Sequence, residues 1–434
     1  LNYLLFVVYL VILSWLLLRV PFIKNAGISN RFILGLFLIK ILAGIAIGWI
    51  SIHIYGPGND YWDLNDFARE EYQLLLTNPA RYLSNIFTSD YEGGYRGIFS
   101  SFNSYWNDLE GNIIIKLVSI FNIFSRGDYY INSLFFNFII FFGHVILYRL
   151  FILVFPGTPA VASGHGAVGR QILVIIGCFL LPSTLYFTSG IHKDGMVFLM
   201  LAVLVYSVYQ SLNKKSFSAR RSVLIVTALL FLFLMRNFVF LALLPAVFAW
   251  ILAYRIKWNA WVTFAAVYLF CGILFFTASY IYPAFDPPAI IIKKQVDYIN
   301  LPVASTQIPL TPLQPNFKSF VSNAPQALQH SFLRPYPGEQ PLQSLLPFSI
   351  ELLLYLVLLL LLIFFRRKNA RVAGNGFLLY VLFFTLTVFL FIGYIVPNLG
   401  SLVRYRSLFL PFLITPALCL LDLEKLAATF KIKK

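Results

Sequence analysis

Leu4-Leu5-Phe6-Val7-Val8-Tyr9-Leu10-Val11-Ile12-Leu13-Ser14-Trp15-Leu16-Leu17-Leu18 is an apolar run without a single charge. A second run, Ser349 to Phe365, is as apolar and holds one carboxylate, Glu351. A helix needs about 20 apolar residues to cross the hydrocarbon core of a bilayer. Lipid offers no partners for unpaired backbone groups, so helices are the expected spanning element. Working outward from these runs, the hydropathy pattern predicts eleven spans: 2–19, 32–54, 129–155, 171–190, 195–212, 222–236, 238–255, 259–282, 348–365, 376–396 and 407–422. The 434-residue chain has 12% charged residues and a mean hydropathy of +0.79. A soluble domain of that length cannot cover so much apolar surface. The predicted fold is an all-α polytopic membrane protein, one transmembrane domain over residues 1–434. Two long external loops, 55–128 and 283–347, are expected to contain interfacial helices.

Charge is sorted between the predicted spans. One set of connections holds Arg19, Lys24, Arg31, Arg149, Arg170, Lys214, Lys215, Arg220, Arg221, Arg255, Lys257, Arg366, Arg367, Lys368, Arg371, Lys425, Lys431, Lys433 and Lys434. Against these nineteen cations stand two acids, Asp422 and Glu424. The other set holds the remaining fifteen acids, counting Glu351 at a span edge, and thirteen cations. Lys and Arg accumulate in cytoplasmic loops, so the basic set is predicted to be cytoplasmic, with the N-terminus outside and the C-terminus inside. The net charge of +16 is then a topology signal. It is scattered over short loops rather than gathered on one surface, which argues against a nucleic-acid partner. The first span lacks a basic n-region, so it reads as an anchor rather than a cleaved signal. Basic loops and compact form favour a bacterial inner membrane.

Cys178, Cys271 and Cys419 fall within predicted spans, which excludes a disulfide framework and a Cys-based zinc site. The five histidines are dispersed, without metal-ligand spacing. Neither a Walker-type phosphate loop nor Gly-x-Gly-x-x-Gly is present.

The reactive groups gather on the external side. The first loop opens Gly56-Pro57-Gly58-Asn59-Asp60-Tyr61-Trp62-Asp63-Leu64-Asn65-Asp66-Phe67. Turn residues lead there into a helix, with Asn59 or Asp60 as its N-cap. On that helix Asp63, Asp66 and Glu70 share a face. Tyr61 and Trp62 suit the headgroup layer. The stretch Asp90-Tyr91-Glu92-Gly93-Gly94-Tyr95-Arg96 reads as an ordered loop, and Ile113 to Phe124 as an interfacial or re-entrant segment. The second loop is rich in Pro and Gln, including Pro287-Pro288 and Arg334-Pro335-Tyr336-Pro337-Gly338-Glu339. Proline at that density argues against one long helix. Short turns carry His192-Lys193-Asp194, Arg236 and Arg404-Tyr405-Arg406. Lys40, inside the second span, is expected to snorkel to the cytoplasmic side, and His144 to be a core histidine.

Carboxylates beside Lys and Arg at headgroup level suit work on a phosphate-bearing lipid. Arg holds phosphate with two parallel bonds and Lys as a point charge, while a carboxylate can deprotonate a hydroxyl. Asp60, and failing it Asp63, is the candidate base; capping of the helix is the plainer role for Asp60. His192, Lys193, Asp194, Arg236, Arg404 and Arg406 are the candidates for holding the donor phosphate. Arg334, Tyr61 and Trp62 are candidates for the acceptor side.

With Gly58-Asn59-Asp60-Tyr61-Trp62-Asp63 opening a large external loop, the chain resembles the GT-C class of integral membrane glycosyltransferases. The resemblance covers the overall layout and the first 200 residues. In that class the acidic loop usually follows the first span; here it follows the second. It implies transfer of a sugar from a polyprenyl-phosphate lipid to a glycan, glycolipid or protein acceptor on the external face. The cofactor would be the lipid-linked sugar donor itself, with room for a divalent metal ion. A rival resemblance, through the loop at 283–347 with Arg334 and through Arg404-Tyr405-Arg406, is to the O-antigen polymerase and ligase group. It implies arginines that hold a lipid diphosphate. A third reading, a lipid-linked glycan flippase or other transporter, would place ionisable groups near the bilayer midplane in repeated halves, and no repeat is evident.

Overall fold

A computed structural model describes residues 2–85, 105–156, 165–256, 258–300, 305–367 and 376–429. The expected loop at Asp90–Arg96 lies outside them, as do Lys257, Lys368, Arg371, Lys431, Lys433 and Lys434.

The described chain is helical throughout, without a named strand. Spans and connections begin with α1 (Asn2–Arg19), α2 (Pro21–Lys24) and α3 (Asn30–Ile54). The first long connection folds as α4 (Asp60–Thr77), α5 (Pro79–Ser84) and α6 (Tyr105–Ser125). Then come α7 (Tyr129–Val154), α8 (His165–Phe179), α9 (Pro182–Phe187), α10 (Lys193–Asn213), α11 (Ala219–Met235), α12 (Asn237–Arg255) and α13 (Ala260–Ile281). The second long connection holds α14 (Pro287–Ile299) and α15 (Phe317–Leu333). The chain continues through α16 (Leu342–Phe364), α17 (Phe377–Ile395), α18 (Leu399–Ser407), α19 (Leu410–Leu420) and α20 (Leu423–Thr429).

Eight described helices are long and apolar enough to cross a membrane: α1, α3, α7, α10, α12, α13, α16 and α17. The pair α18 and α19, bent by 60°, makes a ninth if it is one crossing. The chain is therefore a multi-pass membrane protein, and three of the eleven expected spans are not among these eight helices. The span expected at 171–190 is broken at Leu180–Leu181, where Pro182 starts α9 and cannot continue the ladder of α8. The one at 222–236 is α11, 17 residues opening on Ala219-Arg220-Arg221. The one at 407–422 is the second half of the bent pair, broken before Pro411.

By internal contacts the chain forms two compact units. The first comprises Leu1–Arg149, Leu185–Ser207 and Ser222–Arg236; the second comprises Leu150–Thr184, Val208–Arg221 and Asn237–Lys434.

In the first unit α4 lies along α6. Tyr61 and Ala68 of α4 meet Ile114 and Val118 of α6, Ile47 of α3, Tyr129 of α7 and Ile191. Burying aromatic and aliphatic side chains of this size stabilises by roughly 1.5–3 kcal/mol each. Polar ties then fix the register. Asn132 donates to Asn65 (2.8 Å) and Asn122 (2.7 Å), and Asn122 donates to the carbonyl of Ala68 (2.9 Å). Lys116 of α6 pairs with Glu71 of α4 and donates to Asn85 (2.5 Å). Glu71 is thus turned towards α6, while Asp66 and Glu70 are exposed.

In the second unit α17 packs against α15 and α12. Trp250 stacks on Tyr380 (4.9 Å between centroids) and Tyr380 on Phe384 (5.7 Å). Gly393 lets α17 touch α15 directly: a Cβ there would lie 1.9 Å from the carbonyl oxygen of Ala327. At the break before α9, Glu351 of α16 accepts from the Ser183 amide (3.0 Å), the Ser183 hydroxyl (3.0 Å) and the Tyr355 hydroxyl. The second long connection is built around two helices. Its prolines start α14, where Asp286 accepts from the Ala289 amide (3.0 Å), and Asn316 caps α15. Proline is harmless in a first turn because its missing N–H would be unpaired there anyway.

Candidate functional site

Asn59, not Asp60, caps α4: its side-chain oxygen accepts from the Trp62 amide (3.3 Å). Its amide group also donates to the carbonyls of Gly56 (2.7 Å) and Ser51 (3.2 Å), tying the helix start to the end of α3. Asp60 is therefore the first helical residue, with its side chain 63% exposed. An acid in the first turn is favoured by the helix dipole.

Behind Asp60 lies His192, on the short stretch between α9 and α10. Its Nε2 is 3.9 Å from Asp60 Oδ2, and its Nδ1 is 3.0 Å from Asp194 Oδ2. Asp194 is fully buried in the first turn of α10, and Arg236, at the end of α11, donates to its other oxygen. A buried carboxylate without a cation would cost several kcal/mol, so Arg236 is what lets Asp194 stay charged. The row runs Asp60, His192, Asp194, Arg236, from exposed to buried.

The Asp194 carboxylate oxygen, 3.0 Å from Nδ1, favours the tautomer with the proton on Nδ1. The ring then donates to Asp194 and turns an Nε2 lone pair towards Asp60. His192 can thus take or release a proton on the Asp60 side without turning its ring. The 3.9 Å gap exceeds a hydrogen bond, yet an oxygen atom set off the line can reach both groups.

Tyr61 and Trp62 pack against neighbouring side chains. Tyr61 is 9% exposed and meets the His192 ring edge-on (5.7 Å). Trp62 stacks on Tyr129 (4.3 Å) and donates from Nε1 to the Gly48 carbonyl (3.0 Å). Asp63, one turn after Asp60, is held above the usual carboxyl range by burial first, then by Asp60 and Asp66. Lys193 opens α10 and pairs with Glu110 of α6. Sequence reasoning missed Glu110, which lies 83 residues away in a helix of its own; no spacing rule joins them.

The remaining candidates belong to the second unit. Arg406 is 2% exposed and donates to the carbonyls of Ser331 (3.1 Å) and Arg334, in and just after the last turn of α15. A cation there suits the negative end of the helix dipole. Arg334 pairs with Glu339 (3.4 Å) and lies over the Tyr336 ring (5.3 Å). Arg404 is half-buried over the ring of Tyr405, whose hydroxyl meets that of Tyr298 (2.9 Å). Among the described residues no three His, Cys, Asp or Glu side chains converge as metal ligands.

No family model, curated protein or solved structure matches the chain.

Proposed function

We propose that the chain is a membrane glycosyltransferase. It moves a sugar from a polyprenyl-phosphate carrier to a glycan, glycolipid or protein acceptor on the carboxylate-rich, external face of a bacterial inner membrane. The observation that carries this reading is the exposed Asp60 carboxylate set 3.9 Å from a histidine that is itself braced by a buried carboxylate–arginine pair. An acceptor hydroxyl bound there gives its proton to Asp60 or His192 as its oxygen attacks the sugar carbon. The carbon–phosphate-oxygen bond breaks, its electron pair stays on the phosphate, and the sugar carbon inverts. Proton transfer to a positioned side chain of this kind is worth about 10²–10⁴ in rate. The positive end of the α10 dipole lies beside the pair for the departing phosphate, and Lys193, released from Glu110, adds a point charge.

The test compares surface glycans of a deletion strain complemented with wild type or with Asp60→Asn. Loss of one specific sugar in both the deletion and Asp60→Asn is the expected result. If Asp60→Asn restores the normal glycan, and variants of Arg334, Arg404 or Arg406 instead leave single repeats or uncapped lipid core, the chain is a polymerase or ligase.

A further inference from the structure

Lys40 lies ten residues into α3, well inside a span, and is 1% exposed. Lysines in spans usually extend to the nearer headgroup layer, and the sequence predicts the same here, towards the basic side. The structure places the amino group elsewhere. Nζ donates to Thr188 Oγ1 (2.6 Å), and both residues are buried. Among the described residues this is the one hydrogen bond of that amino group, and no carboxylate pairs with it. An ionisable side chain so placed within a membrane is costly and calls for a purpose.

Thr188 begins the stretch that carries His192 and runs into Lys193 and Asp194. The next residue is held as well: Asn137 donates to the Ser189 carbonyl (2.8 Å). Gly44, one turn beyond Lys40 on the same face of α3, leaves room for this. A Cβ there would lie 2.4 Å from Asn137 Nδ2 and 3.1 Å from the Ser189 oxygen. Gly48, a further turn along, gives its carbonyl to Trp62. One face of α3 thus supports the His192 stretch and the start of α4 turn by turn, with Lys40 at its deepest point. Gly190 closes against Tyr61 from the other side, where a Cβ would lie 2.4 Å from the ring.

We propose that Lys40 is a positioning residue for the candidate site. From inside the span, its hydrogen bond to Thr188 holds the stretch 188–192 so that His192 keeps its place between Asp60 and Asp194. This rests on the reading of Asp60 and His192 as the proton-handling pair, but its test does not depend on any transfer activity.

The full chain is placed in lipid nanodiscs with ¹⁵N-labelled histidine, and the His192 signal is identified by its loss in His192→Gln. Its titration midpoint is followed between about pH 5 and 8. Lys40→Met and Thr188→Val are expected to move the midpoint in the same direction by at least about half a pH unit. The double variant is expected to move it no further than the larger single change, because both remove one interaction. Lys40→Gln, which keeps a donor but no charge, is expected to follow wild type. An unchanged midpoint in Thr188→Val overturns the proposal, as do additive shifts or a Lys40→Gln that behaves like Lys40→Met. If Lys40→Met does not fold, the near-isosteric Thr188→Val decides alone. A transferase reading that fails at Asp60→Asn leaves this midpoint test standing.

Discussion

His192 is held on three sides, by Asp194, by the edge of Tyr61 and by the backbone stretch that Lys40 reaches, while its fourth side looks towards Asp60. That arrangement was partly legible. The acidic opening Asp60-Tyr61-Trp62-Asp63 and the triplet His192-Lys193-Asp194 stand out as more ionisable residues than two short turns need. Their mutual approach does not, because it depends on how α3, α4, α10 and α11 pack, and residues 42 to 148 positions apart leave no spacing signal. Asp60 and Asp63 also look equivalent in sequence and differ in place. Asp63 keeps its proton to higher pH than a free carboxyl, through burial and then the charges of Asp60 and Asp66. Its charged form is disfavoured in the folded chain, so the stability linked to it is present below the ordinary carboxyl range and lost as pH rises through the raised value. Asp63→Asn removes that penalty. Its melting temperature near neutral pH is expected to exceed wild type by about 1–2 °C, and the gap to close below about pH 4. Melting curves at the two pH values check the sign.

Proline punctuation affected the reading of whole elements in two ways. In the second long connection its density argued against one long helix, and two shorter ones stand there: proline at the first positions of a helix is well placed, and Asp286 completes the start of α14. In the bilayer segments an apolar average hid the breaks ahead of Pro182 and Pro411, because hydropathy counts side chains and ignores the missing N–H. Helix contact is the other property a composition cannot carry. Gly393 looks like any small residue in a span, but it is where α17 meets the backbone of α15. A methyl group at 1.9 Å from a carbonyl oxygen cannot be absorbed by a side-chain turn, so one helix must move. Gly393→Ala is expected to cost about 3 kcal/mol through overpacking. Gly35→Ala, where a Cβ meets nothing within 4 Å, is expected to be near neutral. Thermal unfolding of the two variants in the same detergent makes the comparison.

Across the whole chain, membrane residence was legible because uncharged apolar runs close to the length of a bilayer crossing are rare in water-soluble folds. The number of crossings was not, since short, bent and broken helices share the same composition as complete ones. The charge sorting makes its own prediction for orientation. A cysteine placed at Asn78, between α4 and α5, should react with a membrane-impermeant maleimide on intact cells, and one at Ser216, in the basic connection before α11, only after permeabilisation. The reverse pattern would invert the topology. The contact between Glu351 and Ser183 bears on how such a chain is made. Ribosomes deliver α9 to the membrane 168 residues before the carboxylate that accepts its leading amide and hydroxyl. Until α16 emerges, the break before Pro182 must keep those groups hydrated or borrow partners from the insertion machinery. Biogenesis of the second unit is therefore a waiting process, in which an early segment is completed only by a late one.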